Sequence, residues 1–536
     1  MKRFGSIFPF TEHGHSDLRI GRLVANHDFV RALLRGADFD EFLFSGPSVG
    51  ALREFREAVE GWGLPAARER AIRYVPLADL GAVLATEPFH VFHLGGWGYF
   101  MPGLHALRAR YAAAPWPITG LIHSLNGRDL IDHAARLSSA RLEPYDAILC
   151  TSRDGREAMR RLLAVGEAIT GRRFAGRLSL LPLGVDDALS DANGDGARAR
   201  RRLQIEPSTL VVLVLGRITP ALKMDLAPLL RTWRTGVLPR LGPQSAVLVI
   251  AGGASDADLR LARDLVRSEG LEAHVRLQPN FLAAAKADLL AAADLSVALS
   301  DNTQETFGLS VIESMACGVP VVASRFSGYK DLVDHGEDGL LVDTYWCDGL
   351  PSDAYDDLLD PVAAQLQQAQ SLAVDLDQTA EALVRLLSDE AGRKRMGARG
   401  REKVAGTYRW SRVIERYADE WDRLAAEAAR SGPLDRGADT DPYRVSPTTR
   451  FGHYPSHRLT PETWLVRRDP DALAPAYTEV APLLESTLLA RLMDEATRPV
   501  SFGTLTARAG VPPDRAHFAV LWLLKYGVLR VVRTAG

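Results

Sequence analysis

Two series of short apolar, strand-type runs alternate with helical patterning along this chain and leave few folds open to it. In the first series the runs are Arg3–Phe8, Glu41–Phe44, Ala71–Val75, Phe89–Leu94, Pro117–His123, Ala147–Thr151 and Leu178–Leu183. Helical patterns such as Leu23–Leu34 and Leu104–Tyr111 separate them. Strands that alternate with helices pair in parallel through crossover connections, so a parallel sheet is expected. A linker-like stretch, Asp191–Gly196, precedes a second series: Leu210–Arg217, Ser245–Gly253, His274–Asn280, Leu295–Ser300, Pro320–Ser324 and Gly339–Asp343. The expected class is α/β, with two Rossmann-like, doubly wound domains facing a cleft. In such sheets ligands bind beyond the carboxyl ends of the strands.

The expected boundaries follow the pattern. Residues 1–195 form the first domain and 205–410 the second, which a Pro, Asp and Gln-rich insertion interrupts at Tyr345–Asp377. Residues 411–430 read as a helix crossing back to the first domain. Ser411 is its expected N-cap, and Val413, Ile414, Tyr417, Trp421 and Leu424 share one stripe. Residues 431–474 read as an extended connector, and 475–536 as a small, mostly helical unit. In that unit Thr478–Ala496 is an expected helix, a short helix ends at Gly510, and Pro512-Pro513-Asp514 opens a longer one before a β-type GVLRVV run. This order resembles a winged-helix module. The segment 475–536 carries seven Lys and Arg against five Asp and Glu, too few cations for useful DNA affinity. Protein contact is expected of it instead: self-association, docking on the core, or capture of an acceptor.

Charge and cysteine content exclude other classes. A net charge of −3 gives no global pull toward nucleic acid or an anionic membrane. Three cysteines (Cys150, Cys317, Cys347) without metal spacing read as reduced thiols. No apolar run is long enough to span a bilayer, and MKRFGSIFPFTEHGH lacks the features of a signal peptide. A soluble cytoplasmic protein is expected.

The chemistry concentrates in ETFGLSVIESMACGVPVVAS, Glu305–Ser324. Glu305 stands just before a helix opened by Gly308-Leu309-Ser310, and Glu313 about one turn inside it. A helix N-terminus after a strand offers N–H groups and a favourable dipole to phosphate. A carboxylate beside it can accept two hydrogen bonds from a vicinal diol. GRITPALK puts Arg217 and Lys223 in the loop after Leu210–Leu215, where two cations can stabilise a departing diphosphate without a metal. Gly252 and Gly253, directly after VLVI, allow close backbone approach. For each feature alone, a capping or solvated side chain or an ordinary strand-end turn remains open. The Asp-x-Asp strings at 38–40, 256–258, 375–377 and 439–441 read as chance, and no metal is expected.

Together, GRITPALK, VLVIAGG, DNTQETFGLSVIESMACGVPVVAS and DGLLVD resemble the family-4 retaining glycosyltransferases of GT-B fold, a group that includes sucrose-phosphate synthases and many bacterial mannosyl- and glucosyltransferases. The likeness covers roughly 1–430 and is strongest over 210–345. It implies that Arg217 and Lys223 hold the diphosphate of a nucleotide sugar and that Glu313 binds its ribose. It implies also that Glu305 contacts the transferred sugar, with the backbone of Phe307, Gly308, Leu309 and Ser310 at the phosphates. In the first half, His123 at the end of LIH corresponds to a histidine that many members turn toward the donor sugar. Gly14 and Gly21 flank the loop after the first strand, where relatives have a Gly-rich turn near the phosphates. HLGGWGYF, with Gly96 and Trp97, suits stacking on an acceptor sugar. The chain departs from the pattern at Lys223, one residue further from Arg217 than is commonest, at Met224 in place of glycine, and at FSGYKDL (Phe326–Leu332), where Gly-x-Pro-Glu is common. The expected activity is metal-independent transfer, with retention, from a nucleoside-diphosphate sugar to an unidentified acceptor hydroxyl, for which a protein, peptide or glycan are candidates. Another GT-B sugar-nucleotide enzyme, or a silent sugar-nucleotide-binding regulator, remains the alternative. No cofactor is expected, and the C-terminal unit is a candidate for homo-oligomer contact.

Overall fold

The computed structural model describes residues 1–7, 21–140, 142–191, 195–241, 246–282, 285–348, 355, 358–434, 443, 445–468, 477 and 480–532. The first domain holds seven parallel strands: β1 (Arg3–Ile7), β2 (Glu41–Gly46), β3 (Ile72–Pro76), β4 (Val91–Leu94), β5 (Ile118–Leu121), β6 (Ala147–Cys150) and β7 (Arg177–Leu180). Their order is β3-β2-β1-β4-β5-β6-β7. The second domain holds β8 (Leu210–Leu215), β9 (Ala246–Gly252), β10 (Val275–Pro279), β11 (Leu295–Ala298), β12 (Val321–Ser324) and β13 (Gly339–Val342), ordered β10-β9-β8-β11-β12-β13. Helices cover both faces of each sheet, so the central strands are buried end to end and read as unbroken apolar runs. The strand order reverses at β1/β4 in one sheet and at β8/β11 in the other. A crevice opens at each reversal, beyond the carboxyl ends.

The helix Trp410–Arg430 returns the chain to the first domain. Trp421 is fully buried among Phe4, Phe29 and His93, and its Nε1 donates to Thr119 Oγ1 at 3.2 Å. The expected cap is displaced: Arg409 takes the N-cap position and Ser411 lies inside the first turn. The cause is the bridge between Val185 and Arg409, which holds the backbone extended up to Trp410. The insertion is closed by a two-stranded ladder, β14 (Thr344–Tyr345) and β15 (Ala373–Val374), with a helix, Pro361–Gln370, capped by Asp360.

The connector expected at 431–474 is not extended throughout. Its Trp464–Arg467 forms β16, the central strand of a three-stranded antiparallel sheet with β17 (Val500–Ser501) and β18 (Leu529–Val531). The C-terminal unit therefore begins before residue 475, because Leu465 is the fully buried centre of its core, packed with Leu492, Leu505 and Leu523. The helix expected over Thr478–Ala496 is also shorter. Residues 478–479 lie outside the described residues; Ala481–Leu483 is a 3-10 turn, and Leu484, at φ −129° and ψ 60°, breaks the run before Ser486–Glu495. Arg515, on the helix Pro513–Lys525, bonds Asp79 of the first domain at 2.9 Å and Glu485 at 3.3 Å. His517 packs on Phe502. Two of the three basic side chains on this helix are thus engaged within the protein. No helix among the described residues is long and apolar enough to cross a membrane.

Candidate active site

The two crevices meet in a cavity of about 670 Å³ between the domains. From the first domain come Val24, Ala25, His123 and Ser124; from the second come the loops after β8, β9, β10 and β11. β8 and β9 converge so closely that a Cβ on Gly252 would lie 1.6 Å from Gly216 O, so only glycine fits there. Gly253 follows it on the cavity wall. The helix Leu309–Ala316 starts at Gly308, whose φ of +117° and contact with the Tyr329 ring again exclude a side chain. Phe307, Gly308, Leu309 and Ser310 all line the cavity, which turns the first N–H groups of that helix toward it.

A compact ionic cluster stands beside this helix. Lys223 Nζ donates to Glu305 Oε2 at 2.6 Å and to the Tyr329 hydroxyl at 3.3 Å. Tyr329 donates to the same Oε2 at 3.2 Å, and the Phe307 N–H donates to Oε1 at 3.2 Å. Burial by itself would push the Glu305 carboxyl up, but the Lys223 charge and these hydrogen bonds outweigh it and hold the carboxyl below its usual range. The same balance, against burial, raises Lys223. Burial also pushes the Tyr329 hydroxyl up, so it stays protonated and can donate. Arg217 donates to two neutral oxygens, Leu222 O at 3.1 Å and Gln304 Oε1 at 3.2 Å, and burial lowers its pKa. A guanidinium carries five N–H groups, so capacity for an anion remains. Glu313 Oε1 accepts from Lys286 Nζ at 2.7 Å.

His123 Nε2 donates to Gly95 O at 2.7 Å, which fixes the ring at the cavity edge. The loop 93–100 thus acts on the site through its backbone. Gly96 has open space around its Cα, but Trp97 is only 3 % exposed, packed in the first domain's core beside His133. Trp97 has no free face for an acceptor sugar; the exposed rings of this loop belong to Tyr99 and Phe100. Gly21 opens the helix Gly21–Gly36, while Gly14 lies outside the described residues. The Asp-x-Asp strings at 256–258 and 375–377 serve helix starts: Asp256 and Asp258 lie in a first turn, and Asp375 is an N-cap. That at 439–441 lies outside the described residues.

Sequence reasoning missed Lys286, Tyr329 and Gln304. Lys286 sits in an alanine-rich helix with nothing to mark it. Tyr329 does carry a signal, since it belongs to FSGYKDL, where the chain departs from the family pattern.

A family model described as "Glycosyl transferases group 1" matches residues 209–353, the stretch that supplies most of this site. A D-inositol 3-phosphate glycosyltransferase of Salinispora tropica is 32% identical over 262 residues, covering 47% of this chain and 47% of that one. One from Kineococcus radiotolerans is 30% identical over 339 residues, covering 60% of this chain and 68% of the relative. The chain belongs to the group 1 glycosyltransferases. It spans about half the length of the first curated relatives it matches. Among solved structures, this family member is similar to the sucrose-phosphate synthase of Thermosynechococcus elongatus (TM-score 0.53, 20% identity, 80% of this chain and 100% of that one). It is similar also to Anabaena HepE, solved with UDP and glucose (TM-score 0.51, 15% identity, 78% and 98%). At these identities the likeness shows the fold, and the fold is GT-B.

Proposed function

We propose that this chain is a retaining, metal-independent glycosyltransferase that moves a sugar from a nucleoside diphosphate to an acceptor hydroxyl. The observation that carries the reading is one cavity lined by Arg217, Lys223, Glu305 and the N-terminus of the helix Leu309–Ala316, with Tyr329 buried behind the Lys223–Glu305 pair. Two cations and a set of helix N–H groups suit a diphosphate, and they are worth most where negative charge grows on the departing group. Glu305 takes the transferred sugar and Glu313 the ribose diol, so the two glutamates hold opposite ends of the donor. Each is paired with a lysine, and binding exchanges those contacts for substrate hydroxyls. His123 orients the sugar from the first domain, and the acceptor hydroxyl enters on the face that the leaving group vacates. Such chemistry needs no carboxylate pair flanking the scissile bond, unlike a retaining glycosidase.

The donor is expected among UDP-, GDP- and ADP-sugars, and protein, peptide and glycan hydroxyls are the candidate acceptors. The C-terminal unit is read as a winged-helix-like module for protein contact, a second copy of the chain included. A thermal-shift screen of those donors, followed by turnover with and without EDTA, tests the reading. Stabilisation by one donor class and turnover insensitive to EDTA are expected; absence of binding by all three, or turnover that EDTA abolishes and Mn²⁺ restores, would overturn it.

A further inference from the structure

The turn that carries Glu305 is held from the other domain. Ser152, at the start of the first-domain helix Arg153–Thr170, is 1 % exposed and makes two hydrogen bonds through one hydroxyl. Its Oγ accepts from Gly155 N at 3.0 Å, capping its own helix, and donates to Thr306 O at 2.7 Å. Thr306 is the residue between Glu305 and Phe307, whose N–H holds the Glu305 carboxylate. The carbonyl one residue earlier, Glu305 O, accepts from Ser327 Oγ at 2.6 Å within the second domain. Successive peptide carbonyls of one turn are therefore pinned by different domains.

The surroundings repeat the connection. Arg153 pairs with Asp331 at 2.6 Å and Lys330 with Asp154 at 2.5 Å, linking the same helix start to the short helix Tyr329–Leu332. Tyr329 is the side chain that donates to Glu305. Gly328 lets this segment close on the turn, since a Cβ there would lie 2.5 Å from Phe307 Cα. Ser327 adopts φ +45°, a left-handed conformation that costs energy and persists because its contacts hold it.

We infer that Ser152 is a positioning residue that couples the approach of the two domains to the placement of Glu305. The inference rests on the transferase reading. Opening of the domains breaks the Ser152–Thr306 bond and releases the turn, so Glu305 takes its working position only when the first domain, with His123 and the acceptor side, is in place. A group that can transfer a sugar to water is thereby assembled only in the closed molecule. The Lys330–Asp154 pair is exposed and adds little, because solvent screens it; Asp331 accepts the Arg153 backbone N–H at 2.6 Å as well as the guanidinium, a bond that Arg153→Ala leaves in place. The buried Ser152 donor decides.

The test compares wild type, as residues 1–536, with Ser152→Ala, Ser152→Asp and Arg153→Ala. Asp keeps an acceptor for Gly155 N but cannot donate to Thr306, so it separates capping from coupling and serves if Ser152→Ala fails to fold. Affinity for free UDP, GDP and ADP is measured by calorimetry, turnover with the matching glucose conjugates, and domain closure by small-angle scattering. Nucleotide affinity within about twofold of wild type is expected in both Ser152 variants, with kcat lower by roughly tenfold and donor KM little changed. Their nucleotide-bound radius of gyration should exceed that of wild type, while Arg153→Ala stays within about threefold in kcat. Unchanged kcat, or a parallel loss of kcat and nucleotide affinity, in a folded Ser152 variant overturns the inference alone. A wild type that binds none of the three nucleotides overturns the transferase reading and this inference with it.

Discussion

At the scale of single residues, the charge on Glu305 depends most on one neighbour, Lys223. In the proposed reading Lys223 contacts the leaving group, so Lys223→Ala should lower kcat/KM by about 2–4 kcal/mol. The substitution also removes the main opposition to burial, leaving only the hydrogen bonds from Tyr329 and the Phe307 N–H, so the Glu305 carboxyl should rise, and residual activity should climb with pH where wild type is flat. A flat residual profile in a pH–rate series would contradict the coupling. Glu305→Gln should cut turnover yet keep free nucleotide binding, whereas Glu313→Ala should weaken that binding; equal affinities in the two variants would show the division of roles to be wrong. Asp301, beyond β11, gives a separate pH effect. Burial and the nearby Asp225 carboxylate push its pKa up to about 7. Its folded pKa therefore lies above the unfolded one, near 3.9. The protonated group contributes stability below about pH 4, and that contribution is lost as pH rises through 7, up to about 4 kcal/mol in all. Asp301→Asn should flatten this part of the fall in denaturation midpoint between pH 5 and 8; an unchanged slope would count against it.

At the scale of elements, the helix Leu309–Ala316 works because its entry is glycine. Gly308→Ala puts a Cβ 2.5 Å from the Tyr329 ring in a conformation that L side chains avoid. It should displace Tyr329 and the first helical N–H groups together, lowering nucleotide affinity at least about tenfold by calorimetry, a loss of about 1.4 kcal/mol. The return helix Trp410–Arg430 is an energetic tie between domains. Trp421→Ala removes a fully buried indole and its hydrogen bond to Thr119, and about 3–5 kcal/mol of stability should go with it in a denaturant titration.

For the whole molecule, the C-terminal unit sets where the chain can be cut. Truncation after residue 474 leaves β16 without its sheet partners and Leu465 without its core, so that protein should aggregate, whereas truncation after residue 434 should stay monodisperse and bind nucleotide. Size-exclusion chromatography of both separates the two expectations. The alternation of short β-type runs with helical patterns gave the strands of both parallel sheets: the central ones are buried on both faces and apolar throughout, the edge strands β3, β7 and β10 only partly buried, and that signal is local. Glycines at 252, 253 and 308 and the chain order of Arg217, Lys223, Glu305 and Glu313 were legible for the same reason: each is dictated by a turn or a helix end a few residues away. The tertiary structure decided what meets across distance. It brought Tyr329 and Lys286 to the two glutamates, sank Trp97 into the core, drew Trp464–Arg467 into the C-terminal sheet and laid Ser152 on the Glu305 turn. Apart from Tyr329, which stands in the departing FSGYKDL stretch, none of these leaves a local trace, because a hydrogen bond or a packed ring between residues more than twenty positions apart imposes no period on the sequence; only the folded chain brings the partners together.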